Sequence, residues 1–403
     1  MPAADDKPLD PTIHRSGLLL VGILLIAANL RPAITAVGPV LDTVRDQLPL
    51  SSGTASALVS VPLIAFALVS PVAPWVARRI GMERALGLGL AILAVGIVVR
   101  SVPWLPGLWI GTVLLGVAIA VLNVILPSLV KRDYPERIGQ VTGVYSAVQA
   151  AMAAIAAGLA VPIAGITPSG WRLSLGIWAG LVLIAFAVFA PQLRGRSLPE
   201  DVVSPVPGVG ARGYRSPWTS ALAWQVTAYM GLQSTVFYLL ITWLPSIEQS
   251  DGVSAATAGF HQLLLNAFGI LGSLCVVWLV PRMKDQRLLA VISTLMLAGP
   301  IVGVLVDPGL DAIWISIGGL GSGVSFVLAI TLFGLRTVNH GQTAALSGMA
   351  QSAGYLLAAC GPIIIGVIHD QTGSWTPALV IILILLAGQF AAGLLAGRNR
   401  VIG

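Results

Sequence analysis

Charged side chains are scarce in this 403-residue sequence: Asp, Glu, Lys and Arg together make up only 9% of it. Soluble globular proteins carry about 25% charged residues, so a water-soluble enzyme is excluded. Hydrophobic residues account for 56% of the chain, and the mean hydropathy is +0.91. At about 20 apolar residues for each membrane-spanning helix, the length accommodates about a dozen such helices. It leaves no room for a sizeable soluble domain.

Residues that bind metals, form disulfides or hold nucleotides are also few. The two cysteines, Cys275 and Cys360, lie in apolar runs without metal or redox spacing, so we expect them to be small core residues. None of the three lysines stands in the glycine-rich pattern of a nucleotide-binding loop. The four histidines are far apart in the sequence. We therefore expect no cofactor, no metal and no enzymatic activity.

Apolar runs separated by short polar breaks predict an all-α membrane protein with twelve transmembrane helices, which we number as spans 1 to 12. The abundance of Gly and Ala in these runs suits helices that approach closely in lipid. The runs cover residues 17–44, 53–77, 83–101, 105–130, 138–164, 172–190, 218–245, 255–280, 287–306, 312–334, 342–367 and 375–396.

The basic residues lie mainly at one end of these spans. If both termini are cytoplasmic, 18 of the 22 Lys and Arg residues fall inside. Three fall outside, namely Arg45, Arg100 and Arg172, and Arg31 lies within span 1. Since Lys and Arg concentrate on the cytoplasmic side of membrane proteins, the net charge of +6 marks a membrane side rather than a nucleic-acid surface. We predict a multi-pass protein of a bacterial inner membrane, with both termini in the cytoplasm.

An internal repeat relates the two halves of the chain. Matched residues recur at an offset of 203 to 205: Trp75 with Trp278, Arg79 with Arg282, Arg84 with Arg287, Arg132 with Arg336, and Gly143 with Gly348. Such a duplication predicts two pseudo-symmetric six-helix bundles related by an axis along the membrane normal. The predicted divisions are an N-terminal tail at 1–16, a bundle at 17–190, a cytoplasmic linker at 191–217, a bundle at 218–397 and a C-terminal tail at 398–403.

Several sequence strings resemble those of one transporter family. The loop Pro74-x-x-x-Arg78-Arg79-x-Gly81-x-Glu83-Arg84 resembles the cytoplasmic signature of the major facilitator superfamily, although that signature usually has an acidic residue at the position of Arg78. The strings 29–39 of span 1, 123–127 of span 4 and 242–245 of span 7 are similar to the cyanate and nitroimidazole permease branch (CynX/NimT). The resemblance covers essentially the whole chain. It implies the major facilitator fold, transport of a small molecule, and gating by loop residues, here Arg79, Glu83, Arg84, Arg282 and Arg287.

Arg31 is the charge predicted to lie deepest in the bilayer, about 21 Å along span 1 from its cytoplasmic end. All sixteen acids fall at span ends or in loops, so no carboxylate is expected beside it. A central Arg costs about 2.5–3.5 kcal/mol on insertion scales and almost always faces a bundle interior or a cavity. Two interpretations are open. Arg31 either caps backbone carbonyls freed by Pro32, or it anchors a small anion through its planar donors.

Other polar residues at similar depth are candidates for completing a substrate site with Arg31. Tyr238 is the predicted aromatic wall, and His261 is a candidate proton carrier because imidazole titrates near pH 7. Each candidate also has a purely structural interpretation. The amides would link two helices by hydrogen bonds, the tyrosine would be a core residue, and the histidine would be hydrated at the outer end of its span. The candidates are Asn123, Gln149, Gln233, Tyr238, His261, Asn266, Gln351 and Tyr355.

The predicted function is secondary active or facilitative transport of a small anion, cyanate-like or a small carboxylate, by alternating access, with Arg31 as its anchor. The alternative is export of neutral nitroimidazole or other drug-like compounds, with Arg31 holding a nitro group. Coupling stays open among a proton on His261, a proton on the substrate, exchange and facilitated diffusion. A receptor function is disfavoured, because a receptor usually carries a soluble signalling domain and the chain has no room for one. The expected partners are the lipid bilayer and an anionic small molecule, with no nucleic acid, and the expected state is a monomer.

Overall fold

The computed structural model describes residues 11–48, 52–167, 169–194, 216–306 and 308–402. The predicted tail at 1–16 and linker at 191–217 lie largely outside these ranges. The α-helices are α1 (Pro11–Asn29), α2 (Pro32–Thr35), α3 (Val37–Gln47), α4 (Ser52–Val69), α5 (Ala73–Ile80), α6 (Met82–Ser101), α7 (Leu105–Asp133), α8 (Ile138–Ala164), α9 (Gly170–Gly176), α10 (Trp178–Phe189), α11 (Ala221–Ser250), α12 (Ala255–Leu279), α13 (Arg287–Leu297), α14 (Gly299–Val306), α15 (Asp311–Leu335), α16 (His340–Thr372) and α17 (Thr376–Ala396).

The twelve predicted spans all have counterparts among these helices. Within the described residues, ten helical stretches are long and apolar enough to cross a membrane. A further pair, Val61–Val69 and Ala73–Ile80, forms one span that bends by 58°, and Arg287–Gly303 is a shorter apolar helix. The prediction of an all-α membrane protein of twelve spans is therefore confirmed.

Span 1 is broken in the middle, where α1 ends at Asn29 and α2 begins at Pro32. Proline has no backbone N–H and clashes with the preceding helical turn, but it fits the first turn of a new helix. Pro32 takes that position in α2, and Arg31 occupies the N-cap position directly before it. The sequence Arg31-Pro32 therefore sets the break and places the arginine at it.

The two halves of the chain meet near the basic loops 78–84, 131–137 and 281–287, and we call this side of the molecule the basic-loop end. Helix α8 packs against α12, and α16 packs against α4 and α7. Small residues allow the close approach: a Cβ added at Gly348 would lie 2.6 Å from the Ser70 carbonyl oxygen, and one at Gly143 would lie 3.2 Å from that of Ser273. These two crossings are related by the repeat offset of 203 to 205 residues.

The repeat also appears in an arginine contact that both halves preserve. Arg132 Nη1 lies 2.5 Å from Glu83 Oε1. In the second half, Arg336 donates to the side-chain oxygen of Gln286, the residue 203 positions after Glu83. An amide has thus replaced the carboxylate. Burial lowers the pKa of Arg336 to about 10, so this arginine remains charged at neutral pH.

Apolar side chains cover the outside of the bundle, as a lipid environment requires. Leu68 and Ile363 expose 70% and 68% of their surface, and Trp75 and Trp278 are exposed beside the basic loops, where interfacial aromatics belong. Cys275 and Cys360 are free and exposed. The expectation that they are core residues was wrong, because apolar runs alone do not separate a lipid-facing side from a packed side.

Candidate functional site

Arg31 lies between the two halves of the molecule. Its backbone belongs to the first half, and its guanidinium is approached by side chains of three helices of the second. The charge interacts electrostatically with the hydroxyls of Tyr238 on α11 and Tyr355 on α16. The guanidinium carbon lies 5.8 Å from the centre of the Phe326 ring on α15. Arg31 is partly exposed.

No carboxylate neutralises Arg31 in the part of the chain that the structure describes, since none of the salt bridges found there includes it. Its neighbours are neutral phenols and an aromatic ring. A ring face attracts a guanidinium by cation–π interaction, worth about 0.5–2 kcal/mol, but it does not cancel the charge. The site therefore favours an anionic or strongly electronegative group.

Hydrogen bonds between side chains and backbone carbonyls connect the break around Arg31 to three other helices. Asn29 Nδ2 donates to the carbonyl of Leu181 on α10 at 3.3 Å. Thr35 Oγ1 is 3.1 Å from the carbonyl oxygen of Ala153 on α8 and 3.2 Å from that of Arg31 itself. A functional group held on a fixed backbone needs little reorganisation to bind. The break is thus a fixed part of the fold.

The third contact comes from Arg100, whose Nη1 donates to the carbonyl oxygen of Ala33 at 2.7 Å. The sequence placed Arg100 at the outer end of span 3, but its side chain is buried, with 1% exposed. Its Nε and Nη2 have no hydrogen-bond partner among the described residues. The error arose because a position near a span end does not show which way a long side chain turns. Arg100 thus holds the backbone of the broken span at Ala33, whereas the guanidinium of Arg31 is directed towards Tyr238, Tyr355 and Phe326.

Aromatic side chains that the sequence did not single out extend the wall around Arg31. The rings of Phe66 and Tyr355 lie 5.4 Å apart between centroids. Tyr145 on α8 is buried, and its hydroxyl interacts with that of Tyr355. Phe326 completes the set. In sequence, each is one aromatic residue in an apolar run, and nothing distinguishes it from a core residue.

Three amide candidates lie on the helices at the boundary between the halves. Gln351 Nε2 donates to the backbone carbonyl of Asn123 at 3.1 Å and to Ser347 Oγ at 2.8 Å, so it ties α16 to α7. Gln149 is buried, and its Nε2 has no hydrogen-bond partner among the described residues. A buried amide donor without a partner costs about 1–3 kcal/mol, so the Nε2 donor of Gln149 is available to a ligand. That these amides bind substrate remains a prediction.

The remaining candidates make contacts away from Arg31. Gln233 donates to Ser234 Oγ at 2.7 Å and is buried in α11. Asn266 is exposed on α12, and its amide donates to the carbonyl of Gln262 one turn earlier. His261 is buried, with its Nδ1 2.5 Å from Glu248 Oε1. That Gln233, Asn266 and His261 bind substrate remains a prediction, which these contacts do not support.

Glu248 corrects a second assumption about burial. The sequence assigned it to an outer end, and coupling was considered without any buried acid. In the structure its side chain is 1% exposed and faces His261. The apolar residues around position 248 on α11 and α12 enclose a carboxylate that the linear sequence places near a loop.

The predicted gating residues lie at the basic-loop end. Arg79 covers the ring of Trp75 at 5.0 Å, and its repeat partner Arg282 covers Trp278 at 5.7 Å. Arg287 Nε is 3.7 Å from Asp285 Oδ2, Glu83 pairs with Arg132, and Arg84 is exposed. Their role in gating remains a prediction.

Two repeated six-helix halves that enclose a polar centre define a membrane transporter rather than an enzyme. The chain belongs to the Major Facilitator Superfamily, whose family model matches residues 21–359.

Relatives place the chain within this superfamily. It is 44% identical to the "Uncharacterized transporter YycB" of Bacillus subtilis (strain 168) over 387 residues, 95% of this chain and 94% of the relative. It is 42% identical to the "2-nitroimidazole transporter" of Escherichia coli (strain K12), covering 96% of each chain. With the "Cyanate transport protein CynX" of the same organism it shares 27% identity, over 89% of this chain and 91% of the relative. The predicted CynX/NimT branch is therefore confirmed.

The fold also matches solved structures. The transporter FucP, crystallised in the outward conformation, superimposes with a TM-score of 0.74, covering 94% of this chain and 99% of that one. The sequence identity is 12%, so the match shows the fold alone.

Proposed function

We propose that this protein is a secondary active or facilitative transporter that moves a small anion across the membrane by alternating access, with Arg31 as the central anchor. The observation that carries the proposal is the guanidinium of Arg31, which lies between the halves among Tyr238, Tyr355 and Phe326 and forms no salt bridge with a described residue. A binding site between two halves contacts both of them, so rocking of the halves exposes it to each side in turn.

The surroundings of Arg31 favour a small, flat anion. The planar guanidinium matches a carboxylate or a cyanate, and two phenol hydroxyls offer further hydrogen bonds. The ring of Phe326 limits the space on one side. Cyanate and small carboxylates meet these requirements, and the 27% identical relative is named a cyanate transport protein.

Export of a neutral nitroimidazole is the second candidate, and the aromatic wall favours it. A nitro group presents two oxygens to a guanidinium much as a carboxylate does, and an imidazole ring packs against Phe326, Tyr238 and Tyr355. The relative with 42% identity is named a 2-nitroimidazole transporter.

We further propose that the basic-loop end faces the cytoplasm of a bacterial cell and that one chain is sufficient for transport. Lys and Arg concentrate at this end, as they do on the cytoplasmic side of membrane proteins. The halves are in contact here through α8 with α12 and through α16 with α4. The described state is then closed towards the cytoplasm, and the inward-facing state requires these contacts to part.

Transport into proteoliposomes under an imposed membrane potential separates the two candidates. The protein is reconstituted, a potassium gradient with valinomycin sets the potential, and uptake of cyanate, benzoate and 2-nitroimidazole is measured. Saturable, potential-dependent uptake of cyanate or benzoate supports anion transport. Uptake confined to 2-nitroimidazole and independent of potential favours the second candidate. Failure to transport any of the three counts against both.

A further inference from the structure

A buried pair of ionisable side chains lies in the second half of the molecule, apart from the Arg31 site. Glu248 on α11 is 1% exposed and His261 on α12 is 6% exposed. Glu248 Oε1 and His261 Nδ1 are 2.5 Å apart. The sequence predicted neither the burial of this carboxylate nor its imidazole partner.

A second carboxylate adds negative charge to this pair. Asp311, the first residue of α15, is buried, and its charge acts on Glu248. Within the described part of the chain, Glu248 Oε2 has no hydrogen-bond partner. We call Glu248, His261 and Asp311 the outer cluster, since they lie at the end of the bundle opposite the basic loops.

The charges of the outer cluster make it a site for a proton. Buried charges are stable only when they are paired or neutralised. A proton bound by this pair gives the buried carboxylate of Glu248 a neutralising partner in His261. Nδ1 faces the carboxylate, and Nε2 is the second ring nitrogen, which can also carry a proton.

Helix α11 links the outer cluster to the Arg31 site. Tyr238, which contacts Arg31, and Glu248 are ten residues apart on this helix, or about 15 Å at 1.5 Å per residue. Pro245 lies between them inside the helix, and it leaves the carbonyl of Ile241, four residues earlier, without its helical partner.

His261 and the residue that follows it hold α11 on both sides of that proline. Gln262 Nε2 donates to the freed carbonyl oxygen of Ile241 at 2.7 Å, while His261 holds Glu248. A change in the charge of the His261–Glu248 contact therefore acts on α11 next to Pro245, where the helix lacks one backbone hydrogen bond. Tyr238, whose hydroxyl interacts with Arg31, lies on the same helix.

We propose that Glu248 and His261 form the proton-binding site that couples a transmembrane proton gradient to transport through the Arg31 site. This inference rests on the proposed transport function. One proton binds at His261 Nε2 from one side of the membrane and leaves from the same atom towards the other side after the halves have moved, with no other bond made or broken.

The test compares two modes of transport in the same proteoliposomes. Homoexchange of labelled cyanate, benzoate or 2-nitroimidazole needs no gradient, whereas accumulation under an imposed pH difference needs coupling. We expect Glu248→Gln and His261→Gln to abolish accumulation and to retain exchange within about threefold of the unmodified protein. Asp251→Asn removes an exposed carboxylate three residues from Glu248 and serves as the matched control, with both modes unchanged.

Each other outcome has a definite meaning. Accumulation that persists in Glu248→Gln or His261→Gln overturns the coupling role. So does transport by the unmodified protein that is unaffected by the pH difference. Loss of exchange together with accumulation in well-folded variants also overturns it, because it shows a structural or binding role. An unmodified protein that exchanges none of the three compounds refutes the proposed function itself. Variants that exchange but still accumulate refute the coupling role alone.

Discussion

Arg100 donates a 2.7 Å hydrogen bond to the carbonyl oxygen of Ala33, two residues beyond Arg31. The two arginines therefore have different roles at the break in span 1. One is buried and holds the backbone, and the other points between the halves with its charge available. A single arginine could not hold the backbone carbonyl of Ala33 and bind a ligand with the same donors in every state.

Replacing Arg100 by methionine tests whether Arg100 positions the backbone that carries Arg31. Arg100→Met keeps most of the volume and removes a buried charge together with two unpartnered donors. The loss of the Ala33 hydrogen bond is then largely offset. We expect the midpoint of thermal unfolding to change by only a few degrees, while affinity for substrate falls about tenfold, which corresponds to about 1.4 kcal/mol. Unfolding followed by fluorescence, together with a binding titration, measures both. Unchanged affinity would show that Arg100 does not position Arg31.

Phe326→Ala distinguishes the two substrate classes. The ring of Phe326 lies 5.8 Å from the Arg31 guanidinium and offers a packing surface to an aromatic substrate. Aromatic contacts contribute about 0.5–1.5 kcal/mol beyond their burial, so we expect 2-nitroimidazole and benzoate to bind about tenfold more weakly and cyanate to change little. Competition binding with the three compounds provides the measurement. An equal loss for all three would indicate a general disturbance of the site.

Tyr238→Phe removes one hydroxyl and keeps the ring. Since Tyr238 both contacts Arg31 and offers a hydrogen bond to an anion, we expect affinity for cyanate to fall by about threefold to tenfold. Tyr229→Phe is the matched control, because it removes a hydroxyl on the same helix that bonds to Ser293 rather than to Arg31. If Tyr238→Phe binds cyanate as tightly as the unmodified protein does, Tyr238 is not part of the site.

Gly348→Ala tests the contact between halves at the basic-loop end. The added Cβ would lie 2.6 Å from the Ser70 carbonyl oxygen, so the closed arrangement must shift. We expect a cysteine placed at Ser352, whose hydroxyl donates to the Ala67 carbonyl in the closed state, to react several-fold faster with a membrane-impermeant maleimide added from the basic-loop side.

Gly180→Ala is the matched control, because a Cβ there has no atom within 4 Å. The labelling rate in this variant should equal that of the parent protein. If Gly348→Ala labels no faster than Gly180→Ala, the crossing of α16 and α4 does not hold the halves together.

The sequence predicted those features that depend on long patterns. Apolar runs of about 20 residues defined the spans, and the near-constant offset of 203 to 205 residues between matched positions revealed the duplication. The depth of Arg31 followed from counting residues along one helix. Each of these predictions uses only distance along the chain, and none needs the direction of a side chain.

Features that depend on side-chain direction could not be predicted. Arg100 and Glu248 both lie near span ends, where a long side chain turns either towards water or into the bundle, and hydropathy is the same in both cases. Phe326 and Tyr145 resemble ordinary core aromatics. Helix packing within one half decides what Arg100 and Glu248 contact, and packing of one half against the other decides what Phe326 and Tyr145 contact. Neither kind of packing is visible in a pattern along one chain.

The central claim is that Arg31 supplies the charge that binds the transported compound. The most direct measurement is the binding of cyanate, benzoate and 2-nitroimidazole to purified Arg31→Gln and Arg31→Lys, with Arg400→Gln as a control for removing an exposed positive charge. We predict that Arg31→Gln binds at least a hundredfold more weakly, that Arg31→Lys restores little because a point charge does not replace a planar fork, and that Arg400→Gln binds normally. Binding by a folded Arg31→Gln variant at the affinity of the parent protein would contradict the account.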